Sequence, residues 1–187
     1  MRLHALAAQV ELTDGNFVFA DEEIDQALGI AKRSGSYSQA PYNALLAEIR
    51  LAQGDVQAAK DLIEEAFSLT MIEFDKAAIY NSAAIVFHGA GDLERARDYA
   101  LQAYKVAWAD GEPYSQWYEL KRARSMLAKL NLPEPTLPPF DPAKVEKIPF
   151  EDEIRKLIAE LEVRKRVEAF LPVYYRKMRV EPAERAS

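Results

Sequence analysis

One stretch of this chain says nearly the same thing twice. Ala47, Gly54, Asp55, Val56, Ala59, Lys60, Asp61, Ala66 and Phe67 are answered 37 residues later by Ala84, Gly91, Asp92, Leu93, Ala96, Arg97, Asp98, Ala103 and Tyr104. A unit of this length, with Gly between two apolar-periodic runs, cannot bury its own apolar face and must stack on a copy of itself. The Gly can take the left-handed conformation that closes the first helix. The Asp after it is placed to accept from free N–H groups at the start of the second. Two helices joined so tightly need small side chains at their crossing, and alanine holds each such position: Ala47 and Ala84 in the first helix, Ala59, Ala96, Ala66 and Ala103 in the second.

Moving back 39 residues finds an earlier copy. Ala8 matches Ala47 and Gly15 matches Gly54, while Phe17, Ala20, Ile24, Ala27 and Leu28 match Val56, Ala59, Ile63, Ala66 and Phe67. All three copies keep the three alanines. This spacing of small residue, Gly, bulky residue and two alanines resembles the tetratricopeptide repeat (TPR) over roughly residues 1–110, although the copies are slightly longer and the family's Trp and Pro positions are not kept. The resemblance implies an all-α fold: an α-solenoid of three TPR-like helical hairpins.

The spacing predicts helices over 2–13, 17–33, 38–53, 55–69, 74–89 and 92–109, and a seventh, capping helix over 113–130 with Pro113 in its first turn. In that helix Ala123 answers Ala84 and Met126 answers Phe87. The expected domains are a repeat domain over 1–131, a proline-rich spacer over 132–149, an amphipathic helix over 150–171 and a tail over 172–187. The spacer carries Pro133, Pro135, Pro138, Pro139 and Pro142. Such a stretch is stiff and extended, and it is expected to lie along the array; docking into an aromatic groove is the alternative. The amphipathic helix sets Ile154, Leu157, Ile158 and Leu161 on one stripe, which is expected to be buried against the array.

The stretch from Trp108 to Pro135 also resembles the closing segment of repeat arrays in large bacterial signalling ATPases of the STAND (NACHT-like) class. No Gly-x-x-x-x-Gly-Lys-Ser/Thr loop is present, so no ATPase function follows. The resemblance implies the sensor or scaffold portion of a bacterial signalling protein, with an NTPase module or further repeats upstream. The array begins almost at Met1 with Leu3, Leu6 and Val10 on its open end. Either a second copy covers that face as a homodimer, or the chain is the tail of a longer protein; the second reading is adopted.

Charge narrows the partners. Residues 1–131 hold 13 Lys and Arg against 19 Asp and Glu, a balance of −6. An acidic array argues against nucleic acid, whose binding rests on phosphate neutralisation. From Arg164 to Arg179 the balance turns basic, and contact with nucleic acid or an anionic membrane there is the alternative function. No apolar run is long enough to span a membrane, no leader is evident, and cysteine is absent; the expected compartment is the cytoplasm.

No catalytic constellation stands out. His4 and His88 are the only histidines, which leaves no multi-His metal site, and the acidic run Asp21, Glu22, Glu23 and Asp25 is explained by a solvated helix face. The chain is expected to be a protein-binding module, not an enzyme, and to need no cofactor. In TPR-like arrays the first helices line the concave face. The register then points Ala5, Gln9 and Leu12, Ala44, Glu48 and Leu51, and Asn81, Ile85 and His88 into the groove. The capping helix adds Leu120, Arg124 and Leu127. The expected contacts for a protein or peptide ligand are Gln9, Glu48, Asn81, Ile85, His88 and Arg124.

Overall fold

The computed structural model describes residues 1–35, 39–69, 72–144 and 150–170, with backbone alone at 144 and 165–170. Among the described residues the fold is all-α. The helices are α1 (Arg2–Thr13), α2 (Phe17–Arg33), α3 (Gln39–Ala52), α4 (Val56–Ser68), α5 (Glu73–Gly89), α6 (Leu93–Trp108), α7 (Trp117–Lys129) and α8 (Glu151–Phe170), with a 3-10 turn at Pro142–Lys144. None is long and apolar enough to cross a membrane. Two compact units result, Met1–Phe140 and Asp141–Ser187.

In the first unit α1 packs on α2, α3 on α4 and α5 on α6, and each pair packs on the next through α2–α3 and α4–α5. The odd-numbered helices also touch in series, α1 on α3, α3 on α5 and α5 on α7. Alanine makes this approach possible. Ala8, Ala47 and Ala84, Ala20, Ala59 and Ala96, and Ala27, Ala66 and Ala103 are all 0% exposed. Gly15, Gly54 and Gly91 have φ near +80 to +90°, as the helix-closing role requires. Asp55 Oδ1 accepts from Ala58 N–H at 3.0 Å and Asp92 Oδ1 from Arg95 N–H at 3.1 Å. The first copy departs here: Asn16 makes no side-chain cap, and its amide donates to Glu11 instead.

Ala96→Leu tests this register. Adding a branched side chain at a fully enclosed crossing is expected to cost about 1–3 kcal/mol, read as a lowered midpoint in urea unfolding. Glu94→Gln, two residues earlier on an exposed position, should leave the midpoint in place; equal midpoints for both variants would remove the register.

The core divides into two buried clusters. The smaller gathers Ile24, Leu28, Leu46 and Ile49 between α1, α2 and α3; the larger runs from α3 to α7 around Ile63, Ile79, Phe87 and Leu127. Aromatic rings knit the latter. Phe67, Tyr80 and Tyr99 lie within 5.3–6.1 Å of one another, Phe87 stacks on Tyr99 at 5.4 Å, and the Arg95 guanidinium covers Phe87 at 4.1 Å.

The seventh helix starts later than Pro113. Tyr114 N–H closes a turn on Gly111 O and Gln116 N–H bonds back to Ala107 O, both at 2.8 Å. Those bonds hold the chain in a turn until Trp117. Beyond α7, residues 132–140 run extended within the first unit and are pinned to α6 and α7. Trp108 Nε1–H donates to Pro138 O at 2.8 Å, Tyr104 Oη donates to Glu134 Oε2 at 3.0 Å, and Tyr114 packs on Phe140 at 4.6 Å. Leu132 and Leu137 rest on the larger core cluster. The proline stretch thus meets aromatic side chains, but they are the chain's own.

In the second unit α8 begins after Phe150, whose carbonyl accepts from Ile154 N–H at 3.0 Å. Arg155 pairs with Glu151 at 2.6 Å, one helical turn back. Ile154, Leu157, Ile158 and Leu161, the apolar stripe of this helix, are 42–58% exposed. The tail over 172–187, and the basic stretch beyond the backbone of Phe170, lie outside the described residues.

Candidate functional site

The odd-numbered helices of the first unit share one groove, with a volume of about 310 Å³. Two rows of equivalent positions form its walls. Arg2, Pro41 and Ala78 make one, and Leu6, Leu45 and Ser82 the other, each stepping by the repeat offsets of 39 and 37. Gln9 and Glu48 continue along α1 and α3, Phe74 and Asp75 stand at the start of α5, and Glu119 and Arg122 enter from α7.

The floor is an ion network. Arg122 donates to Glu48 Oε1 and, at 3.3 Å, to Glu119 Oε2. Ser82 Oγ–H donates to the same Glu48 oxygen. Asn81 Nδ2 donates to Glu119 twice, to its carbonyl at 2.9 Å and to Oε2 at 2.8 Å. Only 16% of the Arg122 side chain meets solvent. Burial works against its charge, but the Glu48 and Glu119 carboxylates outweigh that and raise its affinity for the proton. Two carboxylates against one guanidinium leave the floor with an excess of one negative charge.

A third carboxylate, Asp75, also lines the groove. Burial pushes the Asp75 carboxyl above its usual range, and nearby Arg2 offsets this only in part. Its Oδ2 is enclosed without a hydrogen-bond partner. Tyr42, also on the wall, has its phenol pushed up by burial, with Arg2 opposing and Asp75 adding to the shift. Beside these polar groups two large apolar side chains are held open: Leu6 is 60% exposed and Phe74 69%.

Of the six contacts expected from sequence, Gln9 and Glu48 line the groove. Gln9 lies beside Tyr118, and Glu48 is held by Arg122 and Ser82. Asn81 is 1% exposed with its amide committed to Glu119, so it frames the floor from behind. Ile85 packs on the larger core cluster, and His88 is half-buried in the last turn of α5, away from the groove walls. Arg124 pairs with Glu134 at 3.0 Å, beneath the extended segment. On α7 the inward residues Leu120 and Leu127 are buried in the core. The helix therefore presents Glu119 and Arg122 to the groove, where the simple offset placed Leu120 and Arg124.

Ser82, at the Leu6/Leu45 position, was findable from sequence: the same two offsets that align the alanines put a lone hydroxyl in an apolar row. Asp75 and Arg122 carried no such signal. The acidic run on α2 does structural work, since Asp21 pairs with Arg50 at 2.6 Å and Glu23 with His4 at 2.7 Å. Among the described residues no group of His, Asp and Glu is arranged to hold a metal ion. Comparisons with protein-family models, with curated proteins and with solved structures found no match.

Proposed function

We propose that the first unit is a non-catalytic protein-interaction module, a TPR-like α-solenoid that holds a segment of another protein in the groove between α1, α3, α5 and α7. The observation that carries this reading is the repetition of the wall. Three successive hairpins contribute side chains from equivalent positions, Arg2/Pro41/Ala78 and Leu6/Leu45/Ser82, to one continuous channel. Side chains at a regular spacing along a channel suit an elongated ligand whose own side chains also recur regularly. The Glu48–Arg122–Glu119 floor supports the reading, because it fixes the walls of the channel before any ligand arrives and so reduces the ordering cost of binding. A role as sensor or scaffold in a signalling protein rests on the sequence resemblance of Trp108 to Pro135 alone.

The test is selection from a random-peptide library displayed on phage, using the full chain as bait. Ala78→Trp fills the groove from its wall and should keep the unfolding midpoint near that of wild type, since Ala78 is only half-buried. Peptides recovered on wild type are expected to bind Ala78→Trp at least about tenfold more weakly. Recovery of no peptide, or only of peptides indifferent to Ala78→Trp, would overturn the reading.

A further inference from the structure

We infer that the groove selects partner segments carrying a Lys or Arg beside a large apolar side chain, and that Asp75 is the residue that reads the cation. This rests on the groove being a peptide site and names the chemistry of its ligand. Three separate observations converge. The first is charge: Glu48, Glu119 and Asp75 face Arg2 and Arg122 in the channel, and the array around it carries −6. Field and floor both favour a cationic visitor and work against an acidic one.

The second is that the three carboxylates are not equivalent. Glu48 Oε1 accepts from Arg122 and Ser82, and Glu119 Oε2 from Arg122 and Asn81. Asp75 is the carboxylate left under-compensated, with Oδ2 enclosed and unpartnered. Charge held in a partly buried place without full compensation is costly, and an incoming ammonium or guanidinium relieves that cost. Burial has pushed this carboxyl up, and a positive charge beside it would act in the opposite direction.

The third is the pairing of Asp75 with its neighbours. Phe74 precedes it on the first turn of α5 and stays largely exposed, and Leu6 stands exposed on α1 across the same channel. Exposed large apolar side chains beside a partly buried charged group have the composition of an interaction hot spot. A ligand residue next to the cation would cover Phe74 and Leu6 and exclude water from the ion pair. That exclusion turns a weak surface attraction into a specific one.

Peptides recovered with the full chain from the phage library are expected to be enriched in Lys or Arg next to an aliphatic or aromatic residue. Synthetic versions should bind Asp75→Asn about tenfold or more weakly than wild type, and Phe74→Ala more weakly as well. Replacing the peptide's Lys or Arg by norleucine should reproduce the loss on wild type and add little on Asp75→Asn. Unfolding midpoints of both variants, measured alongside, separate lost recognition from lost folding; if Asp75→Asn fails to fold, the norleucine peptide carries the test on wild type alone. Peptides that lose affinity on Ala78→Trp yet lack a cation, or ignore Asp75→Asn, would overturn this inference and leave the peptide site standing. Acidic peptides that depend on Arg2 would do the same. No groove-dependent peptide at all would overturn both.

Discussion

Arg122→Ala is expected to cost about 3–5 kcal/mol of unfolding free energy, because it leaves two carboxylates facing each other in a nearly closed space. Arg122 bridges Glu48 on α3 and Glu119 on its own helix. Asn81 and Ser82, which bond the same carboxylates, would keep them in place with their charges uncompensated. The measurement is urea unfolding at neutral pH. Adding Glu48→Gln to Arg122→Ala should recover a substantial part of the loss, since it removes one of the stranded charges. A loss under about 1 kcal/mol would mean that the trio is a surface pair of the ordinary, weak kind.

Phe87→Ala should be comparably severe, at about 3–5 kcal/mol. The ring is enclosed, stacks on Tyr99 and lies under Arg95. Tyr99 in turn packs on Phe67 and Tyr80, so the cavity would open where α4, α5 and α6 meet. Arg95→Gln separates the contributions: the cation over the ring is worth only about 0.5–1 kcal/mol at an exposed site. A Phe87→Ala variant that unfolds within about 1 kcal/mol of wild type would show that the neighbouring rings collapse into the space.

What the sequence could and could not disclose follows the range of each interaction. The alanines, the closing glycines and the caps at Asp55 and Asp92 act within one hairpin. Their physics is local, and their spacing announces it. Helix α7 was legible as a helix through Leu120, Ala123, Met126 and Leu127, but not in its start or its rotation. Its start depends on the bonds of Tyr114 and Gln116, and its rotation on which of its residues fit against α5 and α6. A turn of one or two positions exchanged Arg124 for Arg122 as the groove cation. Asn81 misled for a related reason: a polar residue on a first helix suggests a ligand contact, and here it meets the backbone and side chain of Glu119, 38 residues on. Asp75 drew no notice because one acid in a helix's first turn is common; its significance comes from being enclosed without a partner.

The extended segment and α7 give the first unit unlike ends. At one end α7 exposes Lys121, Ser125 and Lys129 together with Trp117 and Tyr118, and residues 132–140 are strapped beside it. Gly111 makes the strap fit: with φ at +89° it brings its backbone so near Phe140 that a Cβ there would stand 2.7 Å from the Phe140 nitrogen. At the other end Leu3 and Val10 on α1 are bare. Two copies meeting through this bare α1 face would pair about a two-fold axis, each covering the other's Leu3 and Val10, a contact that closes on itself rather than propagating.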